Sequence, residues 1–153
     1  MSNILAAVGR RQLKVLEQRV EARRNIFKLY NSFLADLPAV SFMPELEHTR
    51  SNRWLTALTI SEEHTEVSVS SLLKALQDEN IEARHVWKPL HMQPLFKKCK
   101  YFSHQENEHV AEQLFKTGLC LPSGSSMTTA EQILVIHTIL ETIKKGKYTK
   151  QST

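Results

Sequence analysis

Glycine and proline are scarce in this chain, with four glycines and five prolines among 153 residues. That scarcity excludes collagen-like repeats and long flexible linkers. Cysteine is rarer still. Cys99 and Cys120 form no CxxC pair and have no metal-like spacing, so neither a disulfide scaffold nor a zinc ribbon is expected. No apolar run is long enough to cross a membrane, and Ile4 to Val8 lacks the order of a secretory signal. No membrane partner is expected, and a reducing, cytoplasmic setting is the default. A block of one charge sign is missing too. The formal charge is +4 and the pI is about 9.1, but Arg10, Arg11, Lys14, Arg19, Arg23 and Arg24 share their segment with Glu17 and Glu21. Such mixing reads as a solvated helix face, so no nucleic-acid partner is expected.

Reactive motifs are also lacking. Seven histidines are present, yet none belongs to HExxH. His85 and His91 straddle a strand–loop junction, His104 and His109 flank a helix start, and neither pair has a cysteine at ligand spacing. No metal is expected. Ser123-Gly124-Ser125-Ser126 lacks the G-x-S-x-G frame of a nucleophilic serine, and its simplest role is a turn before a helix. Backbone N–H groups there could hold an anion at the helix start. There is no glycine-rich phosphate cradle. No catalytic residue is assigned, and the chain reads as a positioning domain of one core.

What is present is an alternation of helical and strand patterns. Ser2 or Asn3 caps a first helix, in which Leu13, Leu16, Val20, Phe27, Tyr30 and Leu34 recur at helical spacing. One long helix, or two with a bend near Glu21 to Arg24, fits. Gly9 lies within it, either for a close approach or without purpose. Val40 to Met43 is a short strand, and Arg53 to Ile60 a stronger one, with Trp54, Thr56, Leu58 and Ile60 on one face. Ser68 caps a helix carrying Leu72, Leu73 and Leu76, and Asn80 ends it. Ile81 to Trp87 is a third strand. Asn107 to Thr117 is helical, and Gly118 stands where a left-handed stop belongs. Leu119 to Leu121 is a short apolar strand holding Cys120 as a small core residue. Thr128 and Glu131 make a capping box for a last helix with Ile133, Ile136, Leu140 and Ile143 as its stripe. The order α(α)ββαβαβα predicts an α+β (α/β-like) fold. A long N-terminal helix or helix pair precedes a small three- to four-stranded sheet covered by helices. The domain is expected over residues 1–146, with a frayed polar tail at 147–153.

The densest chemistry lies in Arg84-His85-Val86-Trp87-Lys88-Pro89-Leu90-His91-Met92-Gln93-Pro94. Pro89 and Pro94 push the residues before them out of the helical region and stiffen the loop. Two readings stand: a cleft-lining loop, or a surface loop whose Trp87 plugs the core. Lys97, Lys98 and Lys100 interleave with Tyr101 and Phe102. They read as a solvated face with its aromatics turned inward.

Several segments together resemble one family. Ser2 to Arg10 with Gln12-Leu13 and Arg23 to Phe27 resembles the start of the C-terminal small domain of the DegT–DnrJ–StrS sugar aminotransferases. Ser51-Asn52-Arg53-Trp54-Leu55-Thr56 resembles that domain's central strand. Arg84 with Trp87 to Pro94 resembles its substrate-side loop, although His85 replaces the proline expected after the arginine. Gly118 to Ser125 resembles its last strand and turn. The likeness runs in order to about Lys144.

The resemblance implies a fold-type-I enzyme that uses pyridoxal phosphate to move an amino group, commonly from glutamate, onto a keto group of a nucleotide-linked sugar. Such work supplies cell-surface polysaccharides. It implies dimers with active sites at the subunit junction, and a large domain carrying the cofactor and its Schiff-base lysine. That domain is expected to be missing from this chain. No bound cofactor and no activity of the chain alone are then expected. Arg84, Trp87, Lys88 and His91 become candidates for the nucleotide-sugar entrance, and Lys88 is not taken as the imine lysine. The apolar start of the first helix implies a homo-oligomer or a missing large domain as its cover. Two rivals remain: a module that completes an enzyme in trans, and a small nucleotide-sugar-binding regulator.

Overall fold

The computed structural model describes residues 2–103 and 109–148. Helix α1 runs unbroken over Asn3–Leu34. Ser2 caps it by accepting from the Leu5 N–H at 3.4 Å. It is one helix across Glu21 to Arg24, and a Cβ on Gly9 would meet nothing within 4 Å, so no described residue makes a close approach there. Strands β1 (Val40–Phe42) and β2 (Thr56–Ile60) follow, then α2 (Val69–Asp78) and β3 (Arg84–His85). Two 3-10 turns, α3 (Val110–Thr117), β4 (Gly118–Leu121) and α4 (Thr129–Tyr148) complete the described order.

The sheet is antiparallel throughout, in the order β1-β2-β4-β3. Thr56 pairs with Leu121 and Leu58 with Leu119, while Arg84 pairs with Cys120 on the other side of β4. Strand β4 is therefore central and wholly buried. Helices α1, α2 and α4 pack on the face made by Leu58, Ile60, Leu119 and Leu121. The expected α+β arrangement holds, with four strands.

Local chemistry explains the element ends. Ser68 accepts from the Ser71 N–H at 3.1 Å to start α2, and Asn80, at φ 58°, turns the chain out of it. Thr128 and Glu131 exchange the reciprocal bonds of a capping box at 2.7 and 3.2 Å.

Four expectations are corrected. Strand β2 starts at Thr56, because Arg53 at φ 47° breaks the extended run and leaves Trp54 outside it. Strand β3 keeps only Arg84 and His85 of the expected Ile81–Trp87. Gly118 is extended, at φ −90° and ψ 135°. It is required instead by crowding, since a Cβ there would collide with the Leu114 carbonyl oxygen and the Val86 methyls. In α4 the expected Ile136 and Ile143 are buried and Leu140 packs against the core, but Ile133 is exposed, and Gln132, Val135 and Ile139 complete the buried stripe. Gln132, buried in that stripe, donates to the Ile26 carbonyl oxygen at 2.5 Å. His104, Asn107, Glu108 and residues 149–153 lie outside the described residues.

Candidate functional site

The site grows from the junction of β3 and β4. The Val86 N–H donates to the Gly118 carbonyl at 3.2 Å and carries the ladder one residue past His85. Pro89 then leads into the turn Leu90–Met92, and Pro94 opens the turn Pro94–Phe96. Met92 N–H donates to the Pro89 carbonyl at 3.0 Å, and Gln93 Nε2 donates to the Lys88 carbonyl at 3.2 Å. The segment is thus an ordered loop with its own hydrogen bonds.

The four candidate residues go to three places. Arg84 is exposed on β3 and borders a cleft of about 570 Å³, with Leu55, Ile81, Cys120, Ser123 and Met127 among its walls. Burial pushes the Cys120 thiol pKa up, partly offset by the Arg84 charge, so Cys120 stays a neutral core residue as expected. Trp87 is 65% exposed, so it does not plug the core. Its ring lies 6.0 Å from that of Trp54, which is 54% exposed. Lys88 is exposed beside it. His91 has partners of its own. It stacks on Tyr101 at 3.8 Å and shares a 2.9 Å hydrogen bond with Glu112 Oε1 through Nε2. His109 Nδ1 lies 3.7 Å from the same oxygen.

Sequence reasoning missed Glu112 and the partnership of Trp54 with Trp87. It also turned both loop aromatics inward, whereas Phe102 is exposed and Tyr101 is half-exposed over His91. A second missed cluster pins the segment before Trp54. Arg24 grips Glu45 through Nη1 and Nη2 at 2.9 and 3.2 Å and donates to the Ser51 carbonyl at 2.6 Å. Arg53 lies 3.7 Å over the Phe27 ring and donates to the Met43 carbonyl at 2.9 Å. The Arg24 hydrogen bond, aided by the Ser51 N–H, holds the Glu45 carboxyl pKa down at about 2. The one signal in the sequence was Asn52, whose Oδ1 accepts from the Trp54 N–H at 3.0 Å and makes a turn where a strand was read.

No group of three or more potential metal ligands occurs among the described residues. None of their helices is long and apolar enough to cross a membrane. The cleft contains no lysine among its walls, and Lys88 sits outside it. The walls of this cleft thus offer no lysine amine to hold pyridoxal phosphate as an imine.

A comparison with known proteins agrees with this geometry. The family model for DegT/DnrJ/EryC1/StrS aminotransferases matches residues 1–140. EpsN of Bacillus subtilis (strain 168), assigned to the pyridoxal phosphate-dependent aminotransferases, is 49% identical over 97% of this chain. The match covers 38% of EpsN. GDP-perosamine synthase of Vibrio cholerae is 32% identical over 74% of this chain, and 27% of that protein is covered. The crystal structure of DesI with its TDP-sugar product superposes with a TM-score of 0.83 at 22% identity, covering 99% of this chain and 38% of DesI. The chain thus spans between about a quarter and two-fifths of the length of these relatives. It belongs to the DegT/DnrJ/EryC1/StrS aminotransferase family.

Proposed function

We propose that this chain is the small domain of a pyridoxal phosphate-dependent aminotransferase acting on a nucleotide-linked keto-sugar, with glutamate as amino donor. The observation that carries the reading is the 49% identity to EpsN along 97% of the chain. The name of GDP-perosamine synthase supports a nucleotide-linked sugar as the substrate class. The cofactor and its lysine belong to a large domain beyond these residues, in the same polypeptide or a separate one. When bound there, the cofactor supplies the electron sink through which the amino group moves.

The residues of this chain bind and orient. Trp87 and Lys88 line the nucleotide-sugar entrance. Arg84, a permanent cation, faces its anionic part. His91 also lines the entrance, and Glu112 and Tyr101 hold its ring in one orientation. The assembly is a dimer or larger, it works in the cytoplasm, and the chain alone does not transfer amino groups. A requirement for partner surface is supported by the bare first turns of α1, where Ile4, Leu5 and Val8 are exposed.

The test is a chimaera in which this chain replaces the matching C-terminal part of EpsN. With glutamate and a panel of nucleotide-linked keto-sugars, it should release 2-oxoglutarate, and Trp87→Ala should raise KM for the sugar about tenfold. A chimaera that folds and holds the cofactor yet aminates no member of the panel would sink the proposal. Release of 2-oxoglutarate by the isolated chain would overturn its dependence on a large domain.

A further inference from the structure

The first half of α1 is bare along a face that continues the buried one. Val8 lies eighteen residues before Ile26, and Leu16 eighteen before Leu34, a separation of about five helical turns. Each pair therefore points in one direction. Ile26 and Leu34 are buried against the body of the domain, whereas Val8 and Leu16 are exposed. Ile4 and Leu5 carry the exposed face on to the tip. Among the described residues, the side-chain contacts nearest the tip that reach another segment are Glu17 with Arg50 and Arg19 with Ser125. Ahead of them α1 overhangs the end of the domain, apolar side inward.

The cleft lies at that same end. Gly124 and Ser126, which flank the Ser125 that Arg19 contacts, are among its walls. Its apolar walls include Ile81 and Leu134, and its carboxylates are Glu79, Glu82 and Glu131. Glu131 is committed to the Thr128 cap, but Glu79 and Glu82 are exposed and make no ion pair among the described residues. Arg84 is the one cation in these walls. The overhang has the converse charge, with no acidic residue before Glu17. Arg11 follows Ile4 by about two turns and borders the bare face on one side, and Arg10 stands beside Leu13 on the other. Both arginines are exposed, without an ion pair among the described residues.

We propose that the bare half of α1 docks against the acid-rimmed cleft of a second copy of this chain, in a reciprocal dimer. Ile4, Leu5 and Val8 meet the apolar walls, and Arg10 and Arg11 face Glu79 and Glu82. The lengths allow it. Asn3 lies about 24 Å from Arg19 along α1. Two overhangs laid antiparallel bring each tip to the base of the other, where the other copy's cleft begins. A two-fold axis makes every contact twice and closes the assembly at two copies. An anionic membrane or a nucleic acid would attract the arginines but be repelled by the carboxylates. A second copy satisfies the apolar face and both sets of charges together. This contact rests on the dimer of the proposed function and is separable from its chemistry.

The test is a charge swap read by sedimentation of the full chain, which should itself be a dimer at micromolar concentration. One variant carries Glu79→Lys with Glu82→Lys, and another carries Arg10→Glu with Arg11→Glu. All four positions are exposed, so both variants should fold. Each alone should dissociate more than about tenfold more readily and sediment as a monomer. An equimolar mixture of the two should dimerise again, because one of its contacts keeps the native charges and the other has both reversed. A monomeric native chain, a dimer indifferent to either reversal, or a mixture that stays monomeric would each overturn the contact. Flotation of a monomeric native chain with phosphatidylserine vesicles would overturn it in favour of a membrane. These outcomes separate from those of the EpsN chimaera. An active chimaera with a failed charge swap keeps the function and removes the contact, and an inactive chimaera with a successful swap does the reverse.

Discussion

Helix α1 is covered at one end and bare at the other. Ile26, Tyr30 and Leu34 are 7%, 0% and 0% exposed, whereas Ile4, Leu5 and Leu13 are 76%, 62% and 69% exposed. Both halves carry apolar residues at helical spacing. The difference lies in reach. A helix of 32 residues is about 48 Å long, while a five-residue strand extends about 17 Å and four strands span about 15 Å. The second half meets the turn after β4 and the start of α4. There Tyr30 donates to the Pro122 carbonyl at 3.0 Å, and burial raises its phenol pKa. The last side-chain hydrogen bond between α1 and that turn is from Arg19 to Ser125, at 3.2 Å. Before Glu17, which accepts from Arg50 at 2.6 Å, the first half has outrun the domain. Hydrophobic pattern specifies a helix face, and only packing decides whether the face is buried.

The largest test of this contrast is truncation at each end. Leu34→Ala should cost about 2–5 kcal/mol in urea unfolding, because its side chain is fully enclosed. Leu13→Ala should change stability by less than about 0.5 kcal/mol. Similar losses at the two positions would show that the first half is packed after all.

A smaller effect marks the boundary between the halves, where Arg24 grips Glu45. The Glu45 pKa is lowered from 4.5 in the ordinary state to about 2 in the fold. The stabilisation is therefore present above pH 4.5 and is lost as pH falls towards 2. The melting temperature should drop across that window, and less steeply in Glu45→Gln. Parallel acid profiles for the two proteins would remove Glu45 as the cause.

The smallest effect on stability comes with a visible effect on assembly. The isolated chain should self-associate through Ile4, Leu5 and Val8. Replacing all three by serine should leave unfolding unchanged within about 0.5 kcal/mol and yield a monomer in sedimentation. A monomeric parent at high concentration would show that the bare face does not associate with itself.

The contrast also explains how much was legible beforehand. Ser2, Ser68 and the Thr128–Glu131 box were readable as helix starts, because each cap joins residues three apart. The order of elements followed from such local signals. The stripe of α4 was legible at Ile136, Leu140 and Ile143 but not at its first turn, since Ile133 and Val135 are equally apolar and local spacing does not say which is covered. Strand β3 was overextended for a similar reason. It stays paired only where β4 runs beside it.

At the site, Arg84, Trp87, Lys88 and His91 were readable as a chemically dense loop, but not their separate surroundings. His91 meets Glu112 across 21 residues, and Trp87 meets Trp54 across the strand between them. By itself the sequence determined the family, the element order and the caps, because these rest on residue identity and on hydrogen bonds closed within a turn or two. Only the tertiary structure decided which apolar faces are covered, why position 118 must be glycine, and which two indoles stand together. Those depend on distances between segments far apart in the chain, which no local pattern carries.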